Sequence, residues 1–426
     1  MKKLLLLSVL LFGYTLTFAQ DIDKIITVSE VTRIEKMLAS DEMQGRKTFS
    51  PGIEKAASFI SGEFKKAGLV FFDGLKDYLQ PFSMIKTKFI SAGGNMDNIP
   101  VDANDIIAIT TDTLLRINEN SGYTKVTWDT SVKLMAEASK LIRADKNYLV
   151  LINKLQAKNF GNIKRFKRES FPRKGNVIFV LTDNDPAKYN FYITHQITAS
   201  SLANVVGVLP GKSKKEELVI FSAHYDHLGI GKSNAAMDSV YNGANDDAAG
   251  TTGVILLANY FSKKKDNERT LIFVAFTAEE VGGFGSNYFS KQLDPDKTVA
   301  MFNIEMIGTE SMWGTNSAYI TGFEKSDFGK ILQANLAGSN FHFEPDPYPK
   351  QNLFYRSDNA TLAALGVPAH TISTSKMDTE KFYHTQDDEV ETLDLANMAA
   401  IIKAIAISSK TIVNGKETPA RVEKMK

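Results

Sequence analysis

Four apolar runs in the second half of the chain, Leu218–Phe221, Leu271–Phe276, Val299–Ile304 and Pro368–Ile372, read as buried strands. Between and after them lie stretches with helical spacing: Ala249 to Lys263, Phe328 to Ala337 and Leu393 to Ile407. Such alternation predicts an α/β fold, a mixed and mostly parallel central sheet with helices on both faces. Open sheets of this kind collect ligand and catalytic groups beyond the C-terminal ends of their strands. Here His224, the pair Glu279 and Glu280, and Glu305 each follow one of the runs. Charged groups directly after buried strands are costly to hold unless they are paired or bind a cation.

The rest of the chain divides around this core. From Asp21 to Gly68 the pattern is helical, with Ala56, Ala57, Phe59, Ile60, Phe64 and Ala67 on one apolar face and Gly68 as a stop. The segment 85–198 contributes none of the acidic positions. It carries strand-like runs at Tyr148–Ile152 and Val177–Leu181 and a helical piece from Ser131 to Leu141. The expected organisation is a signal peptide at 1–19, a catalytic domain from 20–84 and 199–426, and an inserted or elaborated segment at 85–198.

The signal peptide is read from Met1-Lys2-Lys3, the apolar run Leu4 to Phe18 and the small-residue end Thr17-Phe18-Ala19. Cleavage after Ala19 implies export to the periplasm or medium and no membrane attachment afterwards. The chain has no cysteine, which removes disulfides, a lipidated Cys and a thiol nucleophile. Lys and Arg total 50 against 49 acids, or 48 against 49 once Lys2 and Lys3 are lost, a balance that argues against a nucleic-acid or membrane-surface protein. Within 151–175, however, Lys154, Lys158, Lys164, Arg165, Lys167, Arg168, Arg173 and Lys174 face only Glu169. A solvated basic face and a docking patch for an acidic partner both fit that run.

Five islands carry the chemistry: His224-Tyr225-Asp226, Gly243 to Gly250, Ala278-Glu279-Glu280, Asn303 to Gly308 and Tyr383-His384-Thr385. Their two histidines and several carboxylates form a ligand mixture that zinc accepts. In order and spacing they resemble the motifs of the zinc-dependent exopeptidase family with two co-catalytic metals. That family includes bacterial secreted aminopeptidases and relatives of glutamate carboxypeptidase II, transferrin receptor and glutaminyl cyclase. The resemblance covers the helical opening, with Gln44-Gly45-Arg46, and most of 204–410.

The resemblance implies two zinc ions. His224 and Glu305 would bind the first, Glu280 and His384 the second, and Asp246 would bridge them. Glu305 stands where the family usually has Asp, one methylene longer. Ions sharing a carboxylate sit about 3.5–4 Å apart and lower the pKa of a bridging water towards roughly 7. Glu279 would then be the general base, passing the water's proton to the leaving amine. Asp226 is expected to accept the second imidazole N–H of His224 and fix its tautomer, while His227 has no matching ligand position and reads as a bystander. Asp247 would either sit in a cis peptide that aims Asp246 or cap the following helix. Tyr383 would donate a hydrogen bond to the tetrahedral oxyanion or simply pack beside the site. Arg356 would steer the substrate or pair with Asp358. The implied activity is hydrolysis of peptide substrates, foremost by an aminopeptidase. A glutaminyl-cyclase-like acyl transfer, a carboxypeptidase and an inactive binding module are the alternatives.

Overall fold

The computed structural model describes residues 22–425, so the signal-peptide segment lies outside the described residues. The chain forms two units, one running to Pro81 and resuming at Leu202, the other spanning Phe82–Ser201. The sequence reading drew the insertion at 85–198.

In the first unit the helical opening resolves into α1 (Val28–Leu38) and α2 (Pro51–Ala67). Thr27 caps α1, its side chain accepting from the Glu30 N–H. Proline at the first position starts α2, and Gly68 at φ 75° ends it in the left-handed conformation that lets its N–H reach back to the last carbonyls. The sheet is built from β1 (Lys214–His224), β2 (Arg269–Phe276), β3 (Thr298–Ile304), β4 (Ser317–Ile320), β5 (His342–Pro345) and β6 (Ala369–Ser373). Its order is β5-β4-β6-β3-β1-β2, and beyond β2 lies the last part of the long strand Tyr189–Leu209. The four central strands β6, β3, β1 and β2 are mutually parallel. β4 is antiparallel to β6, and the residues from Val205 to Leu209 are antiparallel to β2.

Alternation along the strands sorts two cores. Val219, Phe221 and Ala223 of β1 and Leu271, Phe273 and Ala275 of β2 face a layer containing α1, α2, α3 (Ala249–Lys264) and α5 (Leu395–Ser408), with α4 (Phe328–Asn335) beside them. The intervening Ile220, Ile272 and Val274 face the short helices Phe284–Ser290 and Asn359–Ala364. Phe221 anchors the first layer, its ring 4.8 Å from Phe302, 5.5 Å from Phe273 and 5.4 Å from Phe261. Rings at these separations add attraction beyond buried area alone. The helices and strands expected from the sequence are present with ends moved by a few residues.

The second unit has its own four-stranded sheet, ordered Ile106–Ile109, Val177–Leu181, Tyr148–Ile152, Thr124–Trp128. The last three strands are parallel and the first is antiparallel to its neighbour. One apolar cluster covers each face, and the helix Leu134–Arg143 buries Leu134 and Ala138 in one of them. In the basic run, Lys154, Lys158, Lys164, Arg165, Arg168 and Lys174 are exposed, and Glu169 pairs with Lys86 at 3.0 Å. No helix among the described residues is long and apolar enough to cross a membrane.

Candidate metal centre

Three parallel strands deliver their charged residues to one rim of the first unit. β1 ends on His224, Glu279 and Glu280 follow the end of β2, and Glu305 follows β3. Asp246 enters from the turn Ala244–Ala248 before α3, and His384 from the loop after β6. Asp246 is the point of convergence. Its Oδ1 lies 3.2 Å from His224 Nε2, which is itself 3.3 Å from Glu305 Oε1. Its Oδ2 lies 3.2 Å from His384 Nε2, which is also 3.2 Å from Glu280 Oε1. The two oxygens of one carboxylate thus face two separate donor groups, as the bridging role implied by the resemblance requires.

The donor chemistry fits divalent zinc, which takes imidazole nitrogen and carboxylate oxygen. The His384 Nε2 atom is buried, close to two carboxylate oxygens, yet in hydrogen-bond geometry with neither. A ring aimed between two anions in this way suits a shared cation. Titration points the same way. The carboxylates of Asp246 and then Glu280, each 3.2 Å from its ring nitrogen, push the His384 imidazolium up to about 10. Burial alone would lower His224, but the carboxylates of Glu305 and Asp246 outweigh it and hold that ring well above its ordinary value. The site calls for positive charge.

Glu279 and Glu280, adjacent in sequence, are driven in opposite directions. Burial pushes Glu279 well above the carboxylate range, and the negative charges of Asp358, Glu305 and Asp226 add to it against the pull of His224. Burial also acts on Glu280, but the hydrogen-bonded His227 ring and the nearby His384 ring bring it below its usual value.

Buried polar contacts hold the frame. Arg46 is completely buried, donating to the carbonyls of Tyr225 and Leu38 at 2.8 Å, Gly243 at 2.9 Å and Asn242 at 2.6 Å. It ties the helical opening to both the His224 and the Asp246 turns. The Asp246–Asp247 peptide is cis. The Asp247 carboxylate accepts from the N–H groups of His224 at 3.2 Å, Gly250 at 3.0 Å and Met306 at 3.0 Å, so it fastens two strand ends as well as the start of α3. Ala278, Met306 and His384 adopt positive φ angles of 61°, 49° and 58° beside these groups. Such backbone persists where surrounding contacts fix it.

Several expectations need correction. Asp226 does not take the His224 imidazole on its carboxylate: Nδ1 lies 3.1 Å from the Asp226 backbone oxygen, with Oδ1 at 3.9 Å. The carboxylate instead accepts the Glu279 N–H at 3.0 Å, so it sets the Glu279-Glu280 turn. His227 is no bystander, with Nδ1 2.9 Å from Glu280 Oε1. Arg356 is exposed and meets Gln351 Oε1 at 3.5 Å, while Asp358 is buried elsewhere, so the expected pair does not form. The Tyr383 ring stacks on His384 at 3.9 Å and lines the cleft, with its phenol pushed up by burial. Two supports went unread. Asp388 accepts from Asn245 and Asp246 N–H at 2.8 and 3.0 Å, and Ser357 donates to Glu305 Oε2 at 2.6 Å. Their nearness to His384 and Arg356 in sequence was the available signal.

His224, Asp246, Glu280 and Glu305 line a cleft together with Glu279 and Tyr383, and its other wall includes Met306, Tyr319, Leu353 and Met377. An apolar recess beside converging polar groups is the usual form of a small-molecule site. Residues 204–408 match the model of Peptidase family M28. The resemblance to zinc-dependent exopeptidases read from the sequence stands. Aminopeptidase YwaD of Bacillus subtilis is 21% identical over 234 residues, 53% of this chain and 48% of the relative. The chain spans at most about half the length of the curated relatives first matched. Among solved structures, an aminopeptidase from Aneurinibacillus sp. strain AM-1 aligns at a TM-score of 0.53 with 16% identity, covering 95% of this chain and 97% of that one. A zinc aminopeptidase from Bacillus subtilis aligns at 0.53 with 15% identity over 94% and 99%. At these identities the structures establish the shared fold.

Proposed function

We propose that the chain is an exported two-zinc aminopeptidase that releases N-terminal residues from peptides. The observation that carries this is geometric: the two oxygens of Asp246 face two separate donor groups, on the rim where Glu279 and Glu280 follow the end of β2. His224, Asp246 and Glu305 would hold one zinc, and Asp246, Glu280 and His384 the other. Bound zinc supplies Lewis acidity, polarising a carbonyl and making water more acidic.

The chain's own groups then move the proton and place the peptide. Glu279 takes a proton from the attacking water as its oxygen bonds to the scissile carbonyl carbon. The same residue returns that proton to the amine nitrogen as the C–N bond breaks, so the carboxyl ends as it began. The Tyr383 hydroxyl donates to the carbonyl oxygen as negative charge grows there. The wall formed by Met306, Tyr319, Leu353 and Met377 takes the substrate's side chain, and exposed Arg356 orients the peptide backbone. The basic start, apolar run and Ala19 end of the first 19 residues support export.

The test is product analysis with purified, zinc-loaded protein on matched peptides with free and acetylated N-termini. Release of the first residue from free peptides alone is expected. Release of C-terminal residues, or cyclisation of an N-terminal glutaminyl peptide without hydrolysis, would overturn the assignment.

A further inference from the structure

His227 stands outside the ligand set implied by the sequence resemblance, yet it occupies the same convergence. Its side chain is fully buried, with Nδ1 2.9 Å from Glu280 Oε1 and 3.9 Å from Asp246 Oδ2. Those two oxygens are the ones that each lie 3.2 Å from His384 Nε2. Zinc bonds of about 2.0–2.1 Å in a tetrahedron separate neighbouring donors by about 3.3–3.4 Å. The four separations scatter around that edge length. The opposite ring nitrogen, Nε2, has no hydrogen-bond partner among the described residues, so the ring's polar engagement is on the carboxylate side. Its seat is shaped for it: Gly243, at φ 55°, would place a Cβ 2.5 Å from the His227 ring. Any side chain there would displace the imidazole.

The companion group differs. His224, Asp246 and Glu305 offer three donor atoms, and all three residues also line the cleft. In the other group Asp246 and Glu280 line it, while His227 and His384 do not. Resting on the two-zinc reading, we propose that His227 is a fourth ligand at the second metal position. That position is then closed by four protein donors, Asp246, Glu280, His384 and His227, and retains its ion tightly. The first, with three, stays open to water and substrate and exchanges its ion readily. Four protein ligands are the mark of a structural zinc site and three of a catalytic one.

The experiment uses the full-length mature protein, loaded with zinc, freed of excess metal and titrated with chelators of graded strength while bound zinc is measured by mass spectrometry. The wild type should lose zinc in two separated steps, leaving one tightly held ion. In His227→Ala and His227→Asn the tight step should weaken by more than about 100-fold, since removal of a residue acting only through a ligand costs about 10–100-fold. The Asn variant decides between roles, because its amide can still donate towards Glu280 but offers no imidazole. Tight retention in His227→Asn would overturn the proposal, leaving His227 as a positioning residue. Release of both wild-type ions in a single step would also overturn it, and that arm needs no substitution in the buried site. Wild-type protein that binds no zinc would instead defeat the two-zinc reading itself. Two bound ions that are indifferent to His227→Ala defeat only the fourth ligand.

Discussion

The site has a sheet-borne half and a loop-borne half, and they are built differently. His224 is 1% exposed on the last residue of β1, and its position follows from the register of a parallel strand that is buried from Val219 onward. Tyr383 and His384 arrive on a loop, the tyrosine 42% exposed and the histidine side chain 34%. The sheet fixes its donors through backbone ladders that cannot shift by one residue without turning every core side chain to the wrong face. The loop is fixed by a few contacts, chiefly Asp388 gripping the Asn245 and Asp246 N–H groups. On the proposed function, proton transfer lies on the rigid half, while the loop that admits peptide carries the oxyanion donor.

Breaking the rigid half should cost most. Replacement of Glu279 by Gln keeps shape and removes the proton carrier, so kcat should fall by about 10²–10⁴-fold, the usual worth of a general base. Zinc content, measured on the same samples, should be unchanged because the Glu280 donors are untouched. Activity within a few-fold of wild type would place the proton transfer elsewhere. On the loop, Tyr383→Phe removes one hydroxyl. Loss of an oxyanion donor elsewhere costs about 10²–10³-fold, and a half-exposed phenol should fall at or below the bottom of that range. The loss should appear in kcat with KM nearly constant. A change confined to KM would reduce Tyr383 to packing against His384.

The same division explains what could be read from the sequence. The apolar runs and the acids after them were legible because a buried parallel strand is a continuous hydrophobic run, and whatever follows it must lie at the strand's end. Glu305 and the Glu279-Glu280 pair are therefore placed by local pattern. Asp226 was misread at the level of atoms: spacing puts it beside His224, but the backbone path decides whether carbonyl or carboxylate meets the ring. His227 was discounted because no local pattern says that its turn folds it against Glu280, 53 residues away. Arg46, spent on four carbonyls, depends on closure of segments nearly 200 residues apart. In the second unit the pairing of Thr124–Trp128 with Tyr148–Ile152 was hidden because the first of these alternates polar and apolar residues and lies half on the surface.

Ser357→Ala sharpens the comparison within the rigid half. Ser357 receives a hydrogen bond from Asn303 Nδ2 at 2.8 Å and donates to Glu305 Oε2, so it links the Glu305 carboxylate to β3. Loss of such a partner lowers metal affinity by about 10–100-fold. The effect should fall on the readily exchanged ion alone, as seen by competition with a zinc-sensitive dye. Equal weakening of both ions would mean that the two donor groups are not independent.

The smallest expected effect tests the frame behind the loop-borne half. Glu35 is fully buried beneath Arg46, accepts the Thr252 hydroxyl at 2.7 Å, and is pushed by burial to about 8. A raised carboxyl favours the folded state while protonated. Its contribution is complete below the ordinary value near 4.5 and is lost as pH rises through about 8. Glu35→Gln keeps a neutral partner for Thr252 at every pH. The melting temperature of the wild type should therefore fall relative to the variant between pH 5 and pH 9, by roughly 2–4 °C for each kcal/mol lost. Parallel melting curves across that range would show that Glu35 is ionised in the fold and that Arg46 holds the Asn242–Gly243 turn as half of a buried ion pair. The turn that leads into Asp246 would then be held by charge, where the sheet-borne donors are held by backbone ladders.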